Sequence, residues 1–184
     1  YCCPYPCPYC TLTPSLQACL HILESYLLLY PAELLAVHGQ AVAAMLHSVL
    51  GNVKDAGALM AVQVLDTMLV VCPEGAAQLL AATPLGHKAL SMALSGEESH
   101  LVSAALLALL ARLCFHDPPR FLATLEQAAA RGLPRRQDHA DVPPAAVWVD
   151  CCIDNVDHLM LPRKRRLVCA GLLALVATRD AALL

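Results

Sequence analysis

Residues 97–130 read EESHLVSAALLALLARLCFHDPPRFLATLEQAAA. Leu101–Ala111 is almost wholly apolar and dominated by Leu and Ala, both strong helix formers. Arg112 closes the apolar run, and Asp117-Pro118-Pro119 opens a second one. Proline suits the first turn of a helix, where its missing N–H leaves nothing unsatisfied, and it turns the preceding residue away from helical geometry. The stretch therefore reads as two antiparallel helices, Glu97–His116 and Pro118–Ala130, joined by a tight turn. Glu97 and Glu98 are expected to open the first helix, where carboxylates complement the macrodipole.

The same design recurs on both sides. Pro31, Pro73, Pro118 and Pro162 each follow one apolar helical run and precede another, at spacings of 42, 45 and 44 residues. A helix pair repeated every forty-odd residues is the signature of a HEAT or armadillo solenoid. The expected pairs cover about 13–50, 54–94, 97–130 and 143–178. In the first, Leu16, Leu20, Leu23, Leu27 and Tyr30 make one stripe at helical spacing, and Leu34, Leu35, Val42, Met45, Leu46 and Leu50 make another. Thr13 or Ser15 is expected to cap the first helix, Gly51-Asn52 to end the second, and Thr83-Pro84 to break the partner helix of the second pair before Ser95-Gly96 ends it. No segment alternates with period two. The fold class is all-α, an α-solenoid of about four HEAT-type antiparallel helix pairs. Residues 13–184 are read as one solenoid segment, 1–12 as an unstructured Cys- and Pro-rich leader, and the polar, breaker-rich RGLPRRQDHADVPP of residues 131–144 as a surface loop spanning 131–142.

Composition agrees. The chain has 184 residues, 58% apolar and only 15% charged, enough for one ordinary domain with a substantial core. A net charge of −3 does not call for nucleic acid or an anionic membrane. Leu101–Ala111 and Leu167–Ala177 are too short to span a bilayer, and Ala56–Cys72 is interrupted by Gln63 and Asp66; no membrane partner is expected. Lacking a basic n-region, the N-terminus is not read as a secretory signal, and both ends read as cuts in a longer chain. Among the ten cysteines, Cys19, Cys72, Cys114 and Cys169 sit among Leu, Val and Ala, where a free thiol behaves as a small hydrophobe. That usage implies a reducing compartment.

The search for chemistry ends without a catalytic constellation. Cys2, Cys3, Cys7 and Cys10 crowd the leader, but adjacent ligands and three prolines fit zinc poorly, and no second ligand pair follows at finger-like distance. Of the scattered histidines, His116 and His158 fall near helix ends, where they could cap carbonyls. There is no His-Glu-x-x-His, Gly-x-Ser-x-Gly, Walker or Gly-x-Gly-x-x-Gly motif. No enzyme activity, metal or cofactor is expected. Two charged clusters remain as a candidate partner surface. Asp150, Asp154 and Asp157 fall at helical spacing and are expected to share one face, as a solvated stripe or a contact for basic cargo. Arg163, Lys164, Arg165 and Arg166 open the last helix, where positive charge opposes the dipole. Pairing with Asp154 and Asp157 is the favoured reading; a localisation signal or an acidic partner are the alternatives. Trp148 is read as core.

Tyr26-Leu-Leu-Leu-Tyr-Pro-Ala-Glu-Leu-Leu35, continuing through Gly51-Asn-Val-Lys-Asp-Ala-Gly57, resembles HEAT repeats of importin-β-type nuclear transport receptors. Val147-Trp-Val-Asp150, Asp154-Asn-Val-Asp157, Leu161-Pro-Arg-Lys-Arg-Arg-Leu167 and Ala170-Gly-Leu-Leu-Ala-Leu175 are similar to the importin-eleven branch. The resemblance spans most of residues 20–180, is weak over 76–137 and is absent over 1–12. It implies a receptor that shuttles between nucleus and cytoplasm, binds protein cargo, passes the pore on Phe-Gly nucleoporins and releases cargo on Ran-GTP. Ran-GTP would be met through repeats outside this stretch, and no residue is carried over for that contact. The rival reading is a HEAT scaffold for complex assembly unrelated to transport.

Overall fold

The computed structural model describes residues 14–53, 55–133 and 142–178. Among them nine α-helices follow one another with no strand: α1 (Pro14–Leu29), α2 (Pro31–Asn52), α3 (Asp55–Val71), α4 (Pro73–Ala82), α5 (Pro84–Ser95), α6 (His100–His116), α7 (Pro118–Ala130), α8 (Pro144–Asp154) and α9 (Pro162–Ala177), with a 3-10 turn at Val156–His158. The expected all-α solenoid is what the chain forms. The Cys-rich leader, Thr13 and residues 134–141 of the expected loop lie outside the described residues.

Proline starts helices as expected. Pro31, Pro73, Pro118 and Pro162 occupy first-turn positions, as do Pro84 and Pro144. The break at Thr83-Pro84 divides α4 from α5, and the buried Thr83 hydroxyl donates to the Leu79 carbonyl at 2.7 Å, satisfying a group that α4 leaves free at its end. Gly86 makes that bend possible: a Cβ there would sit 2.2 Å from the Leu80 carbonyl oxygen. Gly96 ends α5 in the left-handed region at φ 71°. Two expected helix starts differ. Ser15 lies inside the first turn of α1 and does not cap it. Glu97 and Glu98 precede α6, which starts at His100 with Ser99 in the cap position. Asp117 supplies the side-chain cap of α7: its Oδ1 accepts from the Arg120 amide at 3.1 Å, and its Oδ2 meets Arg120 Nε at 3.2 Å.

The helices sort into two layers. α1, α3, α6 and α9 pack side by side in the first; α2, α4 with α5, α7 and α8 form the second. Polar contacts between neighbours in the first layer join residues 43 apart (Thr67 to Glu24), 46 apart (Arg112 to Asp66) and then 57 apart (Cys114 to Gly171). The first two separations are of HEAT length. The sequence reading groups 143–178 as one pair. In the structure α8 packs on α7 and α5, while α9 packs chiefly on α6. The long connection after α7 carries an extra helix before the chain returns to the first layer, and proline spacing alone does not show this.

α6 is central. It touches α3, α5, α7 and α9 and is buried from Val102 to Ala111 without interruption, which is why its sequence is apolar around the whole circumference. α2, by contrast, has the length and hydropathy to cross a membrane. Its Gly39, Val42, Ala43, Leu46 and Val49 are buried in a layer that packs on α3, α4 and α5, so it is read as a solenoid helix that is apolar for packing.

The buried cysteines make a pH prediction. Burial pushes the Cys114 thiol from 9.0 up to about 12. Cys152 moves in the same direction, through burial first and the nearby Cys151 and Cys114 second. A thiol that holds its proton in the folded chain and loses it in the unfolded one contributes stability that is full below pH 9.0 and is lost as pH rises towards about 12. Denaturant unfolding between pH 9 and 11 should show falling stability, with a slope approaching about 1.4 kcal/mol per pH unit for each such thiol. Cys114→Ala should make the slope shallower. An unchanged slope would remove Cys114 from the account.

Candidate partner-binding groove

Helices of the first layer meet along a groove of about 700 Å³. α1 contributes Leu28; α3 contributes Leu59, Gln63, Asp66 and Val70; α6 contributes Ala108, Arg112 and Phe115; α9 contributes Arg163, Lys164, Arg166 and Leu167. Heptad-like spacing on α3 and α6 puts each set on one helix face.

A two-point ion pair crosses the groove floor. Arg112 Nε donates to Asp66 Oδ1 at 2.7 Å, and its Nη2 donates to Oδ2 at 3.1 Å. The fork geometry matches guanidinium to carboxylate. Beside it, Thr67 Oγ1 donates to Glu24 Oε1 at 2.9 Å and Gln63 Nε2 donates to the same oxygen at 3.4 Å, which ties α3 to α1. Both side chains of the pair remain about a quarter exposed (Arg112 24%, Asp66 28%), so water screens them. A double-mutant cycle of Asp66→Asn and Arg112→Gln should give a coupling of about 1 kcal/mol. A coupling near zero would mean that apolar packing alone holds α3 against α6.

The sequence-predicted clusters separate. Arg165 Nε donates to the Leu159 carbonyl at 2.7 Å, closing the turn that leads into α9. Arg163, Lys164 and Arg166 stand at the groove rim. Asp150 and Asp154 are exposed on α8, but that helix ends at Asp154, so Asp157 falls in the following 3-10 turn and is not part of the same helical face. In that turn His158 stacks on His100 of α6, with ring centroids 4.1 Å apart. Asp66, Arg112 and Phe115 complete the groove and were not singled out as site residues from the sequence. Their signal was present: Asp66 and Arg112 are the charges that interrupt two apolar helices.

A family model described as Importin-11-like, TPR repeats, matches residues 11–184. The chain belongs to the importin-11-like family. No curated protein and no solved structure matches it. Importin-like repeats are a transport and scaffold family, and this importin-11-like chain is a scaffold of the nuclear transport receptor type. Although the family model is named for TPR repeats, the 43- and 46-residue separations within the first layer of this importin-11-like solenoid exceed the roughly 34 residues of a TPR unit.

Proposed function

We propose that this chain serves in a nuclear import receptor that binds protein cargo in the cytoplasm and releases it when Ran-GTP binds. The observation that carries the reading is the family match over residues 11–184. The two-layer stack supports it, because each helix pair buries its apolar face only against its neighbours and small rotations between repeats sum to large changes of shape. Cargo and Phe-Gly nucleoporins are the proposed partners, with Ran-GTP engaged through other repeats, and the proposed location is nucleus and cytoplasm by shuttling. Residues 13–184 act as one solenoid segment in this reading, and Asp150, Asp154, Asp157, Arg163, Lys164, Arg165 and Arg166 form its partner surface.

The test is capture of extract proteins on the immobilised full-length receptor, with and without Ran locked in its GTP state. Release of bound proteins by Ran-GTP supports import. Proteins retained only with Ran-GTP indicate export, and binding indifferent to Ran indicates an assembly scaffold outside transport.

A further inference from the structure

We propose that the first-layer groove docks an extended acidic segment of a partner protein, one that carries aliphatic or aromatic side chains between its carboxylates. Charge is the first ground. The groove is lined by four cations, Arg112, Arg163, Lys164 and Arg166, against one carboxylate, Asp66, in a chain whose net charge is −3. Asp66 is already engaged by both nitrogens of Arg112. Arg163, Lys164 and Arg166 have no carboxylate partner among the described residues. Among the described residues three cations thus line the groove with no acid to answer them, and complementary charge is what steers and registers a partner.

Exposed apolar side chains are the second ground. Leu28, Val70 and Phe115 are 62%, 55% and 53% exposed, and all three line the same groove. An apolar strip rimmed by charge marks an interaction surface. The strip also decides between occupants. A nucleic-acid backbone needs a run of cations and gains little from an aliphatic strip, whereas a peptide with acidic and apolar residues uses both. The groove walls are helices already packed on one another.

This inference rests on the reading of the chain as a protein-binding scaffold and is independent of Ran. Its test is fluorescence anisotropy on the full chain, using a fluorescein-labelled twelve-residue peptide of Asp and Glu interrupted by two Leu and one Phe. A peptide with Lys and Arg in place of the acids, and single-stranded oligothymidylate, serve as comparisons. At about 50 mM salt the acidic peptide should bind with Kd on the order of 10 μM and weaken as salt rises. Arg163→Glu with Arg166→Glu should weaken it at least tenfold, and Phe115→Ser about threefold, with the helical circular dichroism retained. Should the double reversal unfold the chain, Arg163→Gln with Arg166→Gln should still weaken binding at least threefold. Equal affinity in the folded variants, no binding at low salt, or tighter binding of oligothymidylate that displaces the peptide would each overturn the proposal. Peptide binding without a Ran-GTP response removes the import reading alone. Ran-sensitive cargo capture without peptide binding removes the groove alone.

Discussion

Trp148→Ala should lower unfolding free energy by about 3–5 kcal/mol, the usual range for emptying a large aromatic site. Trp148 is 0% exposed and meets Phe121 of α7 edge to face, with ring centroids 4.9 Å apart and planes at 66°. Such a pair adds about 0.5–1.5 kcal/mol beyond area burial. The site has little means of collapsing to fill the hole, because α8 has 11 residues and is packed against three helices, α5, α6 and α7. Trp148→Phe is the informative companion. It keeps an aromatic face against Phe121 and removes an indole N–H that finds no acceptor among the described residues, so the loss should stay under about 1.5 kcal/mol. Trp148 is the single tryptophan of the chain, so unfolding must be followed by circular dichroism. A loss below about 1 kcal/mol for Trp148→Ala would show that α8 is loosely attached and that the indole is not a keystone of the second layer.

The helices were legible in the sequence because their signals are local. Proline at positions 31, 73, 118 and 162 marks where a new helix starts, and the physics acts within a few residues: a missing N–H, a restricted predecessor, an apolar stripe. Trp148 was legible for the same reason, as a large side chain on an apolar helix. What helix packs on what helix was not legible at the C-terminal end. Prolines mark turns, and a turn before Pro162 looks the same whether α9 pairs back onto α8 or crosses to α6. The groove was hidden for a related reason. Asp66 and Arg112 each read as a lone charge within an apolar helix, and their union depends on the stacking register that puts residues 46 apart side by side. The basic cluster was visible, but its division was not: one arginine turned to a backbone carbonyl and three other cations at the groove rim are decided by the pitch of α9 against α6.

Gly171→Val tests that packing directly, and its expected result is loss of α9 from the stack. A Cβ at Gly171 would meet the Ala111 carbonyl oxygen at 2.8 Å and the Ala111 Cα and Cβ at 3.1 Å. The obstacle is the α6 backbone, which has no rotamer to move, so the helices must separate. Separation also breaks the contact of Cys114 Sγ with the Gly171 carbonyl at 3.4 Å. A cost of about 3 kcal/mol is expected for overpacking against backbone. In a solenoid such a cost is local, since each helix answers mainly to its neighbours. α6 keeps α3, α5 and α7. Hydrogen exchange should therefore show protection in α9 falling by about 100-fold while α2 to α5 stay close to wild type. Gly51→Ala is the matching control, because nothing lies within 4 Å of its Cβ; an added methyl there should leave stability unchanged or raise it by up to about 1 kcal/mol. If Gly171→Val instead loosened α8 and left α9 protected, α9 would belong with α8, as the proline spacing suggested, and the first layer would end at α6.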